Sequence, residues 1–172
     1  MILSGSEILK AVKAGKIKIA PFVKQNVGAV SVDLRLGNHF RPMKASSKAI
    51  WLNNHVHYPA ALEKEVVVPD GGGLTIKPRQ MVLGITKEKI TLSPGYVGWL
   101  QGRSTIARLG LSVHVSSSLV QPGSDNVQGL EIVNNSPSPI VLVPGVRICQ
   151  VVFEQVLGRD VYEGVFRTQT RA

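Results

Sequence analysis

Residues 130–156 read LEIVNNSPSPIVLVPGVRICQVVFEQV. Apolar stretches rich in β-branched side chains are cut by Asn-Asn-Ser-Pro-Ser-Pro and then by Pro-Gly, and none keeps the spacing of an amphipathic helix. Proline presets a turn and glycine supplies the positive φ that tight turns need, so the pattern encodes short strands that reverse direction.

The same punctuation runs upstream through EVVVPDGGG, LTIKPRQMVLGI, ITLSPGYVGWL and LSVHVSSSLVQPG. Strand-like runs at this spacing predict an antiparallel, mainly β sandwich or barrel. In AVSVDLRLG, Val30, Val32, Leu34 and Leu36 fall on one face and Ser31, Asp33 and Arg35 on the other, which predicts a strand with one wet side. KIKIAPF alternates in the same way. One helix is expected at about residues 5–14: Ser4 and Glu7 make a capping box, Ile8, Leu9 and Val12 recur at helical spacing, and Gly15 ends the run. Phe40 to Leu62 keeps no sustained period and reads as an irregular excursion. No linker or composition shift divides the chain, so residues 1–172 are expected to form a single domain, with residues 158–172 as a mobile tail.

The totals agree with a folded protein. The chain has 172 residues, 44% hydrophobic and 18% charged, enough to bury about two thirds of its unfolded surface. Its formal charge of +9 favours anionic partners such as nucleotides, nucleic acid or acidic membranes. A single cysteine, Cys149, excludes an internal disulfide framework and favours a cytoplasmic setting. No apolar run reaches the ~18 residues of a membrane span, and the amino terminus lacks a basic region ahead of a long apolar segment.

Several chemistries find no support. His55 and His57 lie two apart without a Cys-x-x-Cys or His-x-x-x-His to complete a metal site, and His39 and His114 are isolated. No Gly-x-Ser-x-Gly elbow is present, Cys149 sits in an apolar run, and PDGGGLTI lacks the Gly-Lys-Ser/Thr of a phosphate loop. Aromatic residues are too sparse for a single-strand stacking platform, which argues against a nucleic-acid partner. Two features stand out instead. GRSTIARLG groups Arg103, Ser104 and Arg108, two guanidinium forks and a hydroxyl suited to phosphate, or else an ordinary solvated turn. Glu131 interrupts the apolar strand LEIV, which requires a face that is wet or functional.

GRSTIARLGLSVHVSSSLVQPG, followed by GLEIVNN, PIVLVPGVRICQVVF and a late YEGVFRTQ, resembles the deoxycytidine triphosphate deaminase branch of the deoxyuridine triphosphatase (dUTPase) superfamily. MILSGSEILKAVKAGKIKI and SVDLRLGNHF resemble its opening helix and first strands, so the resemblance covers most of the chain. It implies a distorted jelly-roll or β-clip, dUTPase-like barrel with a short amino-terminal helix. It also implies a homotrimer with active sites between subunits, magnesium (Mg2+) carried with the triphosphate, and no zinc. The sequence accords with the last point independently, since zinc deaminases need a Pro-Cys-x-x-Cys that one cysteine does not supply.

By the same resemblance Glu131 is the catalytic carboxylate, and Arg103, Ser104 and Arg108 hold phosphates and line the reaction site. Ser117 stands where the family has an alanine whose carbonyl holds the water. Gln150 matches a glutamine used in nucleotide binding. Phe166 and Gln169 match an aromatic-x-x-Gln segment that closes over the phosphates. Two positions depart from the pattern: the family reads Asp-Pro-Gly-aromatic, and this chain reads Gln121-Pro122-Gly123-Ser124. Gln121 can hydrogen-bond a hydroxyl but is no base, which argues against triphosphate cleavage. Ser124 lacks the ring that packs on deoxyribose, leaving the sugar preference open. Three functions follow as expectations: deamination of dCTP to dUTP and ammonia, hydrolysis of dUTP, or nucleotide binding without turnover.

Overall fold

The computed structural model describes residues 1–52 and 58–171; His55 and His57 lie outside them. A first helix, α1 (Gly5–Lys13), leads into β1 (Ile17–Ala20) and β2 (Val32–Pro42). After the excursion come β3 (Val66–Val67), β4 (Leu74–Ile76), β5 (Met81–Leu92) and β6 (Tyr96–Gly102). A five-residue helix, α2 (Ser104–Arg108), precedes β7 (Leu111–Ser112), β8 (Leu119–Val120), β9 (Asp125–Asn134), β10 (Ile140–Leu142) and β11 (Arg147–Gln155). The protein is therefore mainly β, with 42% of it in strands.

The amino-terminal helix forms as its cap predicts. The Ser4 hydroxyl accepts the Glu7 N–H at 3.4 Å, Ile8 and Ala11 turn inward, and Lys10 and Lys13 occupy the last turn, where the helix dipole favours cations. Glu7 is spent on Lys10 at 2.6 Å rather than on the cap.

Nine strands form one antiparallel sheet in the order β7-β9-β5-β2-β11-β6-β8, with β1 beside β5 and β3 beside β2; β4 and β10 pair separately. The sheet curls into a half-barrel. Its concave side is filled by Leu34, Leu36, Phe40, Leu130, Ile132, Ile148 and Phe153, all at most 1% exposed. Cys149 lies in this core, and burial first, then the nearby carboxylates of Glu88 and Asp33, push its thiol up to about 12. It is a packed, protonated thiol at neutral pH.

Three sequence expectations are corrected. Val30 does not join the apolar face: it is 48% exposed, and the strand begins at Val32. The second side of β2 is not simply wet either. Asp33 accepts from Arg103 at 3.1 Å and from Arg147 at 3.2 Å. Arg35 donates to the fully buried Glu88 through Nε at 2.6 Å and through its backbone N–H at 2.7 Å. The long-range pairings of β2 with β11 and with β5, invisible in a local pattern, bring these charges together. The excursion, finally, starts later than Phe40, because β2 continues to Pro42.

Glu88 turns inward because β5 carries a register shift against β9 between Ile85 and Lys89. Thr86 repairs the gap: its hydroxyl accepts the Gln128 N–H at 2.9 Å and donates to the Glu88 carbonyl at 2.7 Å. Residues 162–169 fold back across the start of β9, with Tyr162 N–H donating to the Pro122 carbonyl at 2.9 Å. Among the described residues no helix is long and apolar enough to cross a membrane.

Candidate active site

Strand β9 organises the site. Its residues alternate buried and half-buried along the whole strand, and Glu131 falls on the half-buried side. A cavity of about 440 Å³ opens beside it, within the range of small-molecule sites. Glu131, Ser117, Gln121, Phe166 and Gln169 all line it, five of the nine residues that the sequence singled out.

The Glu131 carboxylate is held at one oxygen only. Oε2 accepts the Val115 N–H at 3.1 Å, and no other donor among the described residues reaches the group. Ser117 stands on the same loop between β7 and β8, at the cavity wall. Gln121 opens a tight turn that the Ser124 N–H closes onto the Gln121 carbonyl at 3.2 Å. Proline at the second position and Gly123 at φ +80° at the third are what this turn requires, and a side chain on Gly123 would strike Val161 of the tail.

One edge of β9 is open at its centre. The N–H groups of Asp125 and Val127 donate to the Arg167 and Gln169 carbonyls of the tail, at 2.8 and 3.1 Å. At the far end Ser112 of β7 pairs with Val133. Backbone direction alternates along a strand, so Gly129 and Glu131 present their N–H and C=O groups to the same side, between those two partners. A planar ring with donors and acceptors on its rim can complete this interrupted ladder. At the start of β9, Asp125 accepts from Lys89 at 2.8 Å and Thr91 at 2.6 Å. The Lys89 and Thr91 hydrogen bonds hold its carboxyl below the usual carboxylate value.

The other four residues do not line the cavity. Arg103 precedes α2 and is engaged within the chain, by Asp33 and by the Arg147 carbonyl at 3.0 Å. Ser104 and Arg108 are exposed on α2. Gln150 on β11 donates to the Gly102 carbonyl at 3.0 Å and accepts the Ser31 hydroxyl at 2.7 Å, which fixes the entry to α2. Among the described residues no three His, Cys, Asp or Glu side chains gather as metal ligands.

Sequence reasoning missed Tyr58, Tyr162, Asn126 and Gln128, which also line the cavity. Asn126 and Gln128 carried a signal of the same kind as Glu131: amides spaced two apart in a strand, both more than nine-tenths buried. Tyr58 comes from the excursion, and its ring stands 6.3 Å from that of Phe166, an approach with no local signature.

A family model described as dCTP deaminase-like matches residues 2–156. A dCTP deaminase of Marinomonas sp. (strain MWYL1) is 41% identical over 168 residues, covering 92% of this chain and 85% of its own length. A dCTP deaminase of Thermomicrobium roseum is 37% identical over 158 residues, 91% of this chain and 80% of its own. Among solved structures, the 2'-deoxycytidine 5'-triphosphate deaminase of Agrobacterium tumefaciens superposes on 90% of this chain with a TM-score of 0.70 at 21% identity. This chain spans 48% of that protein's length. A dUTPase variant of phage 80alpha superposes on 87% of this chain, and on 96% of its own, with a TM-score of 0.53 at 11% identity. At such identities the two structures share the fold.

Proposed function

The chain belongs to the dCTP deaminase-like family, and from that membership we propose that it deaminates dCTP to dUTP and ammonia, supplying the pyrimidine deoxynucleotide pool that leads to dTTP. The observation that carries this reading is Glu131: a carboxylate lining a cavity, anchored through one oxygen by a backbone N–H and, among the described residues, free at the other.

The chemistry follows from that arrangement. The cytosine rim pairs with the open edge at Gly129 and Glu131, which brings its amino-bearing carbon to the carboxylate. A water lies between the free Glu131 oxygen and the Ser117 loop. Glu131 takes a proton from the water as its oxygen bonds to the ring carbon, giving a tetrahedral centre that carries both hydroxyl and amine. The carboxylic acid then returns a proton to the amine nitrogen, the carbon–nitrogen bond breaks and ammonia leaves, and as the carbonyl forms the hydroxyl proton passes to the adjacent ring nitrogen. One water is consumed and one ammonia released.

The triphosphate enters as its magnesium complex, a property of the substrate that needs no protein ligand cluster. Ser104 and Arg108 are exposed outside the cavity, and this supports a homotrimer in which α2 of one subunit reaches the cavity of the next. Guanidinium and hydroxyl donors there hold phosphate and stabilise developing charge. The protein acts in the cytoplasm, where its nucleotide substrate is found.

Purified protein incubated with dCTP is expected to release ammonia and dUTP in equal amounts, read by product separation. Glu131→Gln is expected to lower kcat by roughly 10²–10⁴-fold and to leave nucleotide binding within a few-fold. Pyrophosphate released without ammonia would overturn the reading in favour of triphosphate cleavage, for which Gln121 lacks the base.

A further inference from the structure

Asn126 and Gln128 form an amide relay whose direction the backbone decides. The carbonyl of Phe166 only accepts, so the Asn126 atom that meets it is the Nδ2 donor. Asn126 Oδ1 is thereby the acceptor, and Gln128 Nε2 donates to it at 2.7 Å, with a second contact to the Asn126 carbonyl at 3.3 Å. With its amide hydrogens committed to Asn126, Gln128 presents Oε1 as the free end of the relay. Gln128 is 6% exposed and lines the cavity, and no donor among the described residues reaches Oε1.

Ser124 repeats the situation. It is 3% exposed and lines the same cavity, and among the described residues its hydroxyl has no partner. Asn126 and Gln128 share one face of β9, Ser124 continues that alternation one residue before the strand, and the Gln128 amide folds back toward Asn126, hence toward Ser124. Both oxygens open onto the cavity rather than being sealed in the interior, and two unpartnered oxygens on one wall point to a ligand group that serves both. Serine occupies little space here, at the end of the Gln121–Ser124 turn where a ring would fill the wall.

We propose that this wall recognises a ribose 2'-hydroxyl, which donates to Gln128 Oε1 and accepts from the Ser124 hydroxyl, so that the protein deaminates the ribonucleotide CTP as well as dCTP. The inference rests on the deaminase reading and names a further substrate class for the same site. A hydroxyl pairs with both protein groups; the methylene of a deoxyribose leaves both without a partner, which a site built around a hydroxyl penalises.

The test is kcat/KM for CTP and dCTP on the same preparation, followed as ammonia release. CTP is expected to be used within about tenfold of dCTP, or better. In Gln128→Met, which keeps the shape and removes the acceptor, the CTP-to-dCTP ratio should fall about tenfold. In Ser124→Phe, which fills the wall, the ratio should fall further. A ratio cancels any loss of folded protein, so partly unfolded variants still report. The proposal is overturned if wild-type protein deaminates dCTP while CTP is slower by more than a thousandfold, or if neither variant moves the ratio. If neither nucleotide yields ammonia the deaminase reading fails, and calorimetric titration with CTP and dCTP decides the sugar question separately: CTP bound as tightly as dCTP supports it, and CTP bound more than a hundredfold weaker overturns it.

Discussion

Asp125 shows how a single side chain couples this strand to pH. Hydrogen bonds from Lys89 and then Thr91 lower its carboxyl below the usual 3.8. A depressed folded-state pKa means that the fold favours the charged form. The resulting stability is present above the unfolded value and is lost as pH falls through the folded one. Asp125→Asn is therefore expected to lower Tm at neutral pH, and the difference from wild type should shrink as pH falls from about 4 toward 2, measured by thermal melts across that range. Both partners are more than 40% exposed, so the effect is small and screened by salt. Glu131 was legible at this scale because a carboxylate amid Leu130, Ile132 and Val133 contradicts its surroundings. Gln128 was not: an amide's role depends on which end is free, and the carbonyl of Phe166, 38 residues along the chain, determines that.

Among the elements β9 carries most of the site, and its strict alternation is a sequence property. The inward side chains of Leu130 and Ile132, both 0% exposed, hold the strand against the core and leave Glu131 on the opposite, half-buried face. Leu130→Ala should cost about 2–5 kcal/mol, the range for a large-to-small change in a packed core, measured by urea unfolding. The register shift in β5 was not legible. In the sequence MVLGI and ITL read as separate strand-like runs on either side of polar Thr86–Lys89, and only the pairing with β9 shows one strand in which Thr86 fills a ladder gap while Glu88 turns inward to Arg35. Around Arg103–Arg108, where the sequence named no element, the hydrogen bonds form the five-residue helix α2.

For the molecule as a whole, the tail continues what β9 begins. Tail backbone carbonyls occupy the first part of the open edge, and Phe166 orients the amide relay. Residues 162–169 add no fully buried side chain, so removing everything after Gly158 is expected to raise KM for nucleotide at least tenfold while Tm changes by only a few degrees. The proposed trimer with shared sites makes a sharper prediction. Glu131→Gln and Arg108→Ala protein should each be inactive alone. After unfolding and refolding together in equal amounts, roughly a quarter of the sites should combine an intact Glu131 with an intact Arg108, and ammonia release should recover accordingly. No recovery would mean that each subunit's residues serve only itself.

Turn residues, strand-length apolar runs and a capped first helix act over a few neighbours, so the sequence by itself determined that this protein is mainly β and where its strands reverse, and it singled out Glu131 and the Arg103–Arg108 segment as candidates while leaving an ordinary wet surface open for both. Which groups meet depended on contacts between residues far apart in the chain. The half-barrel brings Ser117, Gln121, Glu131 and the tail around one cavity, engages Arg103 with Asp33, and leaves Gln128 with an oxygen that meets no donor among the described residues. Local propensity carries no information about such meetings, because they are set by strand order, register and the packing of the core.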